Sequence, residues 1–171
     1  YTNSQSAVKP RDLRSNDKRV LALKKAYENA YPTGYLITKR GEERPADKNA
    51  DLTVDVAVLA KCLMTWHCQR PNIAYNENRL FDKHFEQLFK SDYLPSDIAG
   101  LNNWFRRIEA RWNAGDLALN EALLASPSYS KFHLFYAVQL FFSAASNQID
   151  KVPAPAATTG FPDPDALIGF A

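Results

Sequence analysis

The amino-acid sequence predicts a mainly α-helical domain, a single bundle of about five to six helices with one short β or extended segment near the N-terminus. Three observations predict it. Apolar residues recur at helical spacing over long stretches instead of alternating. Glycine is scarce, at six of 171 residues, while hydrophobic residues reach 46%, enough for one buried core. Side chains with oxygen acceptors, such as Ser15-Asn16-Asp17, stand just before the periodic runs, where the first amides of a helix need partners.

The first helix is predicted from about Asp17 to Ala30, with Val20, Leu23, Ala26, Tyr27 and Ala30 as its apolar stripe. Pro32-Thr33-Gly34 breaks the chain, and Tyr35-Leu36-Ile37-Thr38 is the extended segment. Gly41 turns it into a charged loop, Glu42 to Asn49. A second helix is expected from about Thr53 to Cys68, with Val56, Leu59, Ala60, Leu63, Met64 and His67 on one face. The loop Gln69-Arg70-Pro71-Asn72 ends it. Asn76 or Asn78 caps a third helix from about Arg79 to Lys90, with Leu80, Phe81, Phe85, Leu88 and Phe89 inward. A fourth runs from about Ser96 to Trp112 and a short fifth from Asp116 to Leu124. The sixth, from about Tyr129 to Ser146, is hydrophobic nearly all round and is expected at the middle of the bundle or beneath another domain. The helical domain with its basic N-terminal segment therefore spans residues 1–149, and residues 150–171 read as a Pro/Ala/Thr-rich tail or linker.

Composition narrows the function classes. No stretch reaches about 18 uncharged apolar residues, so no membrane span is expected. Cys62 and Cys68 do not form a C-x-x-C pair, and inert thiols in a reducing, cytoplasmic setting are expected. The net charge of +2 conceals an asymmetry: residues 1–44 hold ten Lys/Arg against five Asp/Glu, and residues 45–171 hold eleven against fourteen. A basic quarter on a slightly acidic body points to nucleic acid or an acidic partner domain.

Two segments of the basic quarter stand out. One runs Thr2-Asn3-Ser4-Gln5 and then Val8-Lys9-Pro10-Arg11-Asp12-Leu13-Arg14-Ser15-Asn16-Asp17; the other is Tyr35 followed by Lys39-Arg40-Gly41-Glu42. With Trp66-His67-Cys68-Gln69-Arg70-Pro71 and Leu80-Phe81-Asp82-Lys83, they resemble signatures of the abortive phage infection (AIPR) family of bacterial defence proteins. The resemblance covers roughly the first half of the chain well and the rest weakly. It implies an internal or C-terminal fragment that follows a nuclease-like region, with any nuclease activity in that upstream part. The chain has no initiator methionine, its one methionine being Met64.

No catalytic residues are expected in this chain. His67, His84 and His133 each lie among apolar residues on predicted helices, where packing is the simpler role. No H-E-x-x-H, Walker A, G-x-S-x-G or G-x-G-x-x-G pattern occurs, and no cofactor or metal site is expected. A metal-dependent nuclease needs carboxylates for Mg²⁺ and a lysine near the attacking water; Asp47-Lys48, or Glu42-Glu43 with Lys39, match only superficially.

The binding candidates are Asn3, Gln5, Lys9, Arg11, Arg14, Lys39 and Arg40. The amides offer donors and acceptors for phosphates or base edges, and the cations neutralise phosphates. A structural alternative stands beside this: Arg11 and Asp12 pair with Glu42 and Asp17 to lock the N-terminal segment, and Glu42 partners Arg11 or Arg40. Trp66, Trp104, Trp112, Tyr75 and Tyr93 are stacking platforms if exposed and core residues if not. Two functions follow. The domain handles DNA or RNA through its basic N-terminal surface for an effector elsewhere in a phage-defence protein, or it is a structural or oligomerisation domain that packs against an upstream domain or another copy of itself.

Overall fold

The computed structural model describes residues 8–89, 93–114 and 131–146. It is mainly helical, as expected, with a small two-stranded parallel sheet. The first turn, α1 (Pro10–Arg14), leads into α2 (Lys18–Ala30). Asp17 caps α2 by accepting from the Arg19 amide at 2.9 Å, and Val20, Leu23 and Tyr27 carry the buried stripe, whereas Ala26 and Ala30 face outward.

Strand β1 (Tyr35–Ile37) pairs in parallel with β2 (Thr53–Asp55), in the register Tyr35 to Thr53, Leu36 to Val54 and Ile37 to Asp55. This corrects the expectation that residues 53–55 open a helix. The β-branched Thr53 and Val54 fit a strand, and Val54 is fully buried. The helix begins one step later, as α3 (Val56–Trp66), because Asp55 accepts from the Ala57 amide at 2.7 Å and is its cap. One residue thus ends the sheet and starts the helix.

Helix α3 is the centre of the molecule. Nine of its residues are buried, on every side, and it packs against α4 (Pro71–Ala74), α5 (Glu77–Phe81), α7 (Pro95–Ala114) and α8 (Lys131–Ser146). The last helix was expected at the middle of the bundle or beneath another domain. In α8, Phe132, Leu134, Phe135 and Val138 are buried against the core, but Leu140 is exposed. Beyond α3, Gln69 sits at φ 56°, and the Arg70 amide closes onto the Met64 carbonyl at 3.0 Å, a left-handed helix ending. The chain then turns at once into α4, where a loop was expected.

The third predicted helix is two short pieces, α5 and α6 (Phe85–Leu88), separated at Asp82–His84. Its inward residues are right: Leu80, Phe81, Phe85, Leu88 and Phe89 are all buried. Helix α7 buries Ile98, Leu101, Trp104, Phe105 and Ile108. Asn3 and Gln5, the helix expected at 116–124, the start of the last helix at Tyr129 and the tail 150–171 lie outside the described residues. Among the described residues, no helix is long and apolar enough to cross a membrane.

Candidate nucleic-acid interface

The two motif segments meet in space. Arg11, on α1, points inward and is only 6% exposed. Its Nη2 lies 2.9 Å from each carboxylate oxygen of Asp55, and its guanidinium donates to the carbonyls of Thr38 and Lys39, both at 3.4 Å. Its Nη1 lies 4.0 Å from Glu77. The backbone completes the clasp: the Arg40 amide donates to Asp12 at 3.4 Å. A buried cation survives only when carboxylates and carbonyls satisfy it, and these do.

Arg14 is also tied into the fold. Its Nε donates to the Phe81 carbonyl at 3.3 Å, its guanidinium lies 4.4 Å above the Phe85 ring, and Asp17 is 3.9 Å away. Arg11 and Arg14 were expected to neutralise phosphates. This is a correction for Arg11, which is enclosed and fully engaged, and Arg14 is largely committed to the α5–α6 region. The structural alternative was right in kind but wrong in partners: Arg11 pairs with Asp55 and Glu77, not with Glu42.

Glu42 has another task. It accepts from the Tyr35 hydroxyl and from the amides of Thr38 and Lys39, both at 3.0 Å, so it clips the turn that carries Lys39 and Arg40. Gly41, at φ 73°, makes that turn affordable for the backbone. Burial works to raise the Glu42 pKa, but the Tyr35 hydroxyl and the Lys39 and Thr38 amides outweigh it and hold the carboxyl below its ordinary value. The same bond pushes the Tyr35 hydroxyl up to about 12, with burial adding to the effect.

Lys9, Lys39 and Arg40 are exposed on the outer side of this clasp. Lys9 and Arg40 line an open hollow of about 370 Å³ together with Tyr75, Asn76, Glu77 and Asn78. Lys39 is the chain neighbour of Arg40 on the same turn. Arg40 has a 45% exposed side chain and reaches Glu77 at a loose 3.7 Å. Tyr75 to Asn78 come from the short α4–α5 connection and the start of α5. Pro71, Ile73 and Ala74 anchor α4 in the core, the Tyr75 and Asn76 amides both donate to the Ile73 carbonyl, and the Asn76 side chain accepts from the Arg79 amide at 3.2 Å.

The five candidate aromatics divide clearly. Trp66 and Trp104 are core residues, in edge contact at 6.3 Å. Trp112 and Tyr93 pack partly buried against the core, and the Tyr93 hydroxyl donates to the Leu88 carbonyl at 2.6 Å. Tyr75 alone among them is open to solvent, at 69% exposure. The amides and carboxylate beside it, Asn76, Glu77 and Asn78, were not singled out as site residues; in sequence they signal only a helix start.

His67 stacks on Tyr93, and burial lowers the pKa of His84. Among the described residues, no three His, Cys, Asp or Glu side chains cluster as a metal site. Comparison with protein-family models, with curated proteins and with solved structures finds no match for this chain.

Proposed function

We propose that this domain handles nucleic acid, through the basic rim of Lys9, Lys39 and Arg40, for an effector elsewhere in a bacterial phage-defence protein of the abortive infection type. The observation that carries the reading is the open hollow where two of those cations meet an exposed tyrosine and a row of polar side chains. Cations attract the phosphate backbone from any sequence, and an exposed ring and amides meet bases. The upstream region named by the family resemblance would supply the effector chemistry, in the cytoplasm, and this chain would contribute binding. Fluorescence anisotropy with labelled DNA and RNA at low and near-physiological salt tests it. Binding that weakens as salt rises and collapses on changing Lys9, Lys39 and Arg40 to Ala supports the reading; absence of binding at low salt overturns it.

A second reading, a packing or oligomerisation domain, has its own support. Val8 and Leu13 are 65% and 68% exposed at the start of the described residues, and Leu21 on α2 is exposed as well. Sedimentation of the chain over a range of concentrations distinguishes it: self-association that Leu13→Asp and Leu21→Asp together abolish favours this role.

A further inference from the structure

We infer that the hollow takes a single strand and not a duplex, with one unstacked base laid on the Tyr75 ring and the adjoining phosphates held by Lys9, Lys39 and Arg40. This inference rests on the nucleic-acid reading above and makes it narrower.

The ring is the first argument. Tyr75 is 69% exposed although the segment on either side of it is fixed. Pro71, Ile73 and Ala74 are buried before it, and its own amide and that of Asn76 are bonded to the Ile73 carbonyl. An exposed ring on a fixed backbone gives up little freedom when a base stacks on it. Aromatic platforms of this kind bind bases that have left their neighbours, because every base offers a π-face once it is unstacked. In a duplex those faces are covered, so the ring has nothing to meet.

The second argument is the mixture of charges. Glu77 lines the hollow together with the ring, Lys9 and Arg40, and lies 3.7 Å from Arg40 and 4.0 Å from Arg11. A carboxylate repels a phosphate but accepts from the amino or imino groups of a base edge. Asn76 has its oxygen committed to the Arg79 amide, which leaves its NH₂ as a donor, and Asn78 is exposed beside it. The hollow therefore offers donor and acceptor groups at Asn76 to Asn78, next to the ring in the chain, and positive charge at Lys9 and Arg40. A base edge at Glu77 with its phosphate at Arg40 fits that mixture; a phosphate at Glu77 does not. The Arg40–Glu77 pair is loose and exposed, so Arg40 is free to turn towards a phosphate while Asp55 still satisfies Arg11.

The third argument is shape. The helices flanking the hollow, α1 and α5, have five residues each. Neither presents a long face to lie along the major groove of a duplex.

The test is anisotropy at low salt with one labelled sequence, presented as a single strand and as a duplex, for the unaltered chain, Tyr75→Ala, Tyr75→Phe and the Lys9/Lys39/Arg40 triple alanine variant. The expected result is tighter binding of the single strand, a loss on the order of ten-fold with Tyr75→Ala, retention with Tyr75→Phe, and no effect of either Tyr75 variant on the duplex. Equal binding of both forms, with Tyr75→Ala changing neither, overturns the single-strand inference. In that case a collapse in the triple variant leaves the basic-rim reading standing. No binding of either form by the unaltered chain overturns both.

Discussion

Arg11 and Arg40 belong to the same corner of the molecule and share the carboxylate of Glu77, yet they are opposite kinds of residue. Arg11 is enclosed, held by Asp55 at 2.9 Å and by two carbonyls. Arg40 is half exposed, in a loose ion pair with Glu77. The clasp uses its cation to join α1, the end of the sheet and the start of α3; the rim leaves its cations facing solvent. A basic segment is therefore not one surface. Charge that is desolvated and saturated with partners is part of the fold, and charge that is solvated and loosely paired is available to a ligand.

The sharpest way to break this contrast is at Arg11. Arg11→Ala removes the guanidinium from Asp55 and two carbonyls, and stability should fall by about 2–3 kcal/mol, less than for a fully buried pair because the Asp55 side chain is a third exposed and keeps the Ala57 amide. Urea unfolding followed by tryptophan fluorescence reads it, since Trp66 and Trp104 are buried. Arg11→Lys should recover only part of the loss, because an ammonium cannot reach carboxylate and carbonyls in the forked manner of a guanidinium. A midpoint unchanged in Arg11→Ala would place Arg11 with the rim.

The Glu42 clip should give a smaller effect. Glu42→Gln should cost about 1 kcal/mol, from weakened bonds to Tyr35 and the two amides. The pH dependence has the same sign. The folded pKa of Glu42 lies below its ordinary 4.5, so its contribution is present in full above that value and is lost as pH falls through the lower, folded value. Protection of the Thr38 and Lys39 amides, measured against the intrinsic exchange rate at each pH, should fall in that acidic window, and in Glu42→Gln it should already be reduced at neutral pH.

The rim should show the smallest effect on stability. The Lys9, Lys39 and Arg40 triple alanine variant should keep its unfolding midpoint within about 0.5 kcal/mol, as exposed substitutions do. Its nucleic-acid affinity and the steepness of its salt dependence should both drop. A large loss of stability in that variant would erase the distinction between clasp and rim.

Local chemistry made part of this legible in sequence. Asp17 is the cap of α2 and the apolar stripes of α2 and α7 point inward, because capping and helical periodicity act over a few residues. Strand β2 was hidden because its partner, β1, is distant in sequence, and a helical run follows it without a break. The interruption at Asp82–His84 carries no proline or glycine to announce it. In the site, Lys9, Lys39 and Arg40 were legible as a basic group. The fate of Arg11 was not, since its partner Asp55 lies 44 residues away. Tyr75 was one aromatic among five, and only the anchoring of α4 in the core distinguishes it.

The most direct test of the account is a nitrogen–proton correlation spectrum of the chain during titration with a short single-stranded oligonucleotide at low salt. The account predicts shifts concentrated at Lys9, at Lys39 to Gly41 and at Tyr75 to Asn78. Shifts centred elsewhere, or none at all, would contradict it.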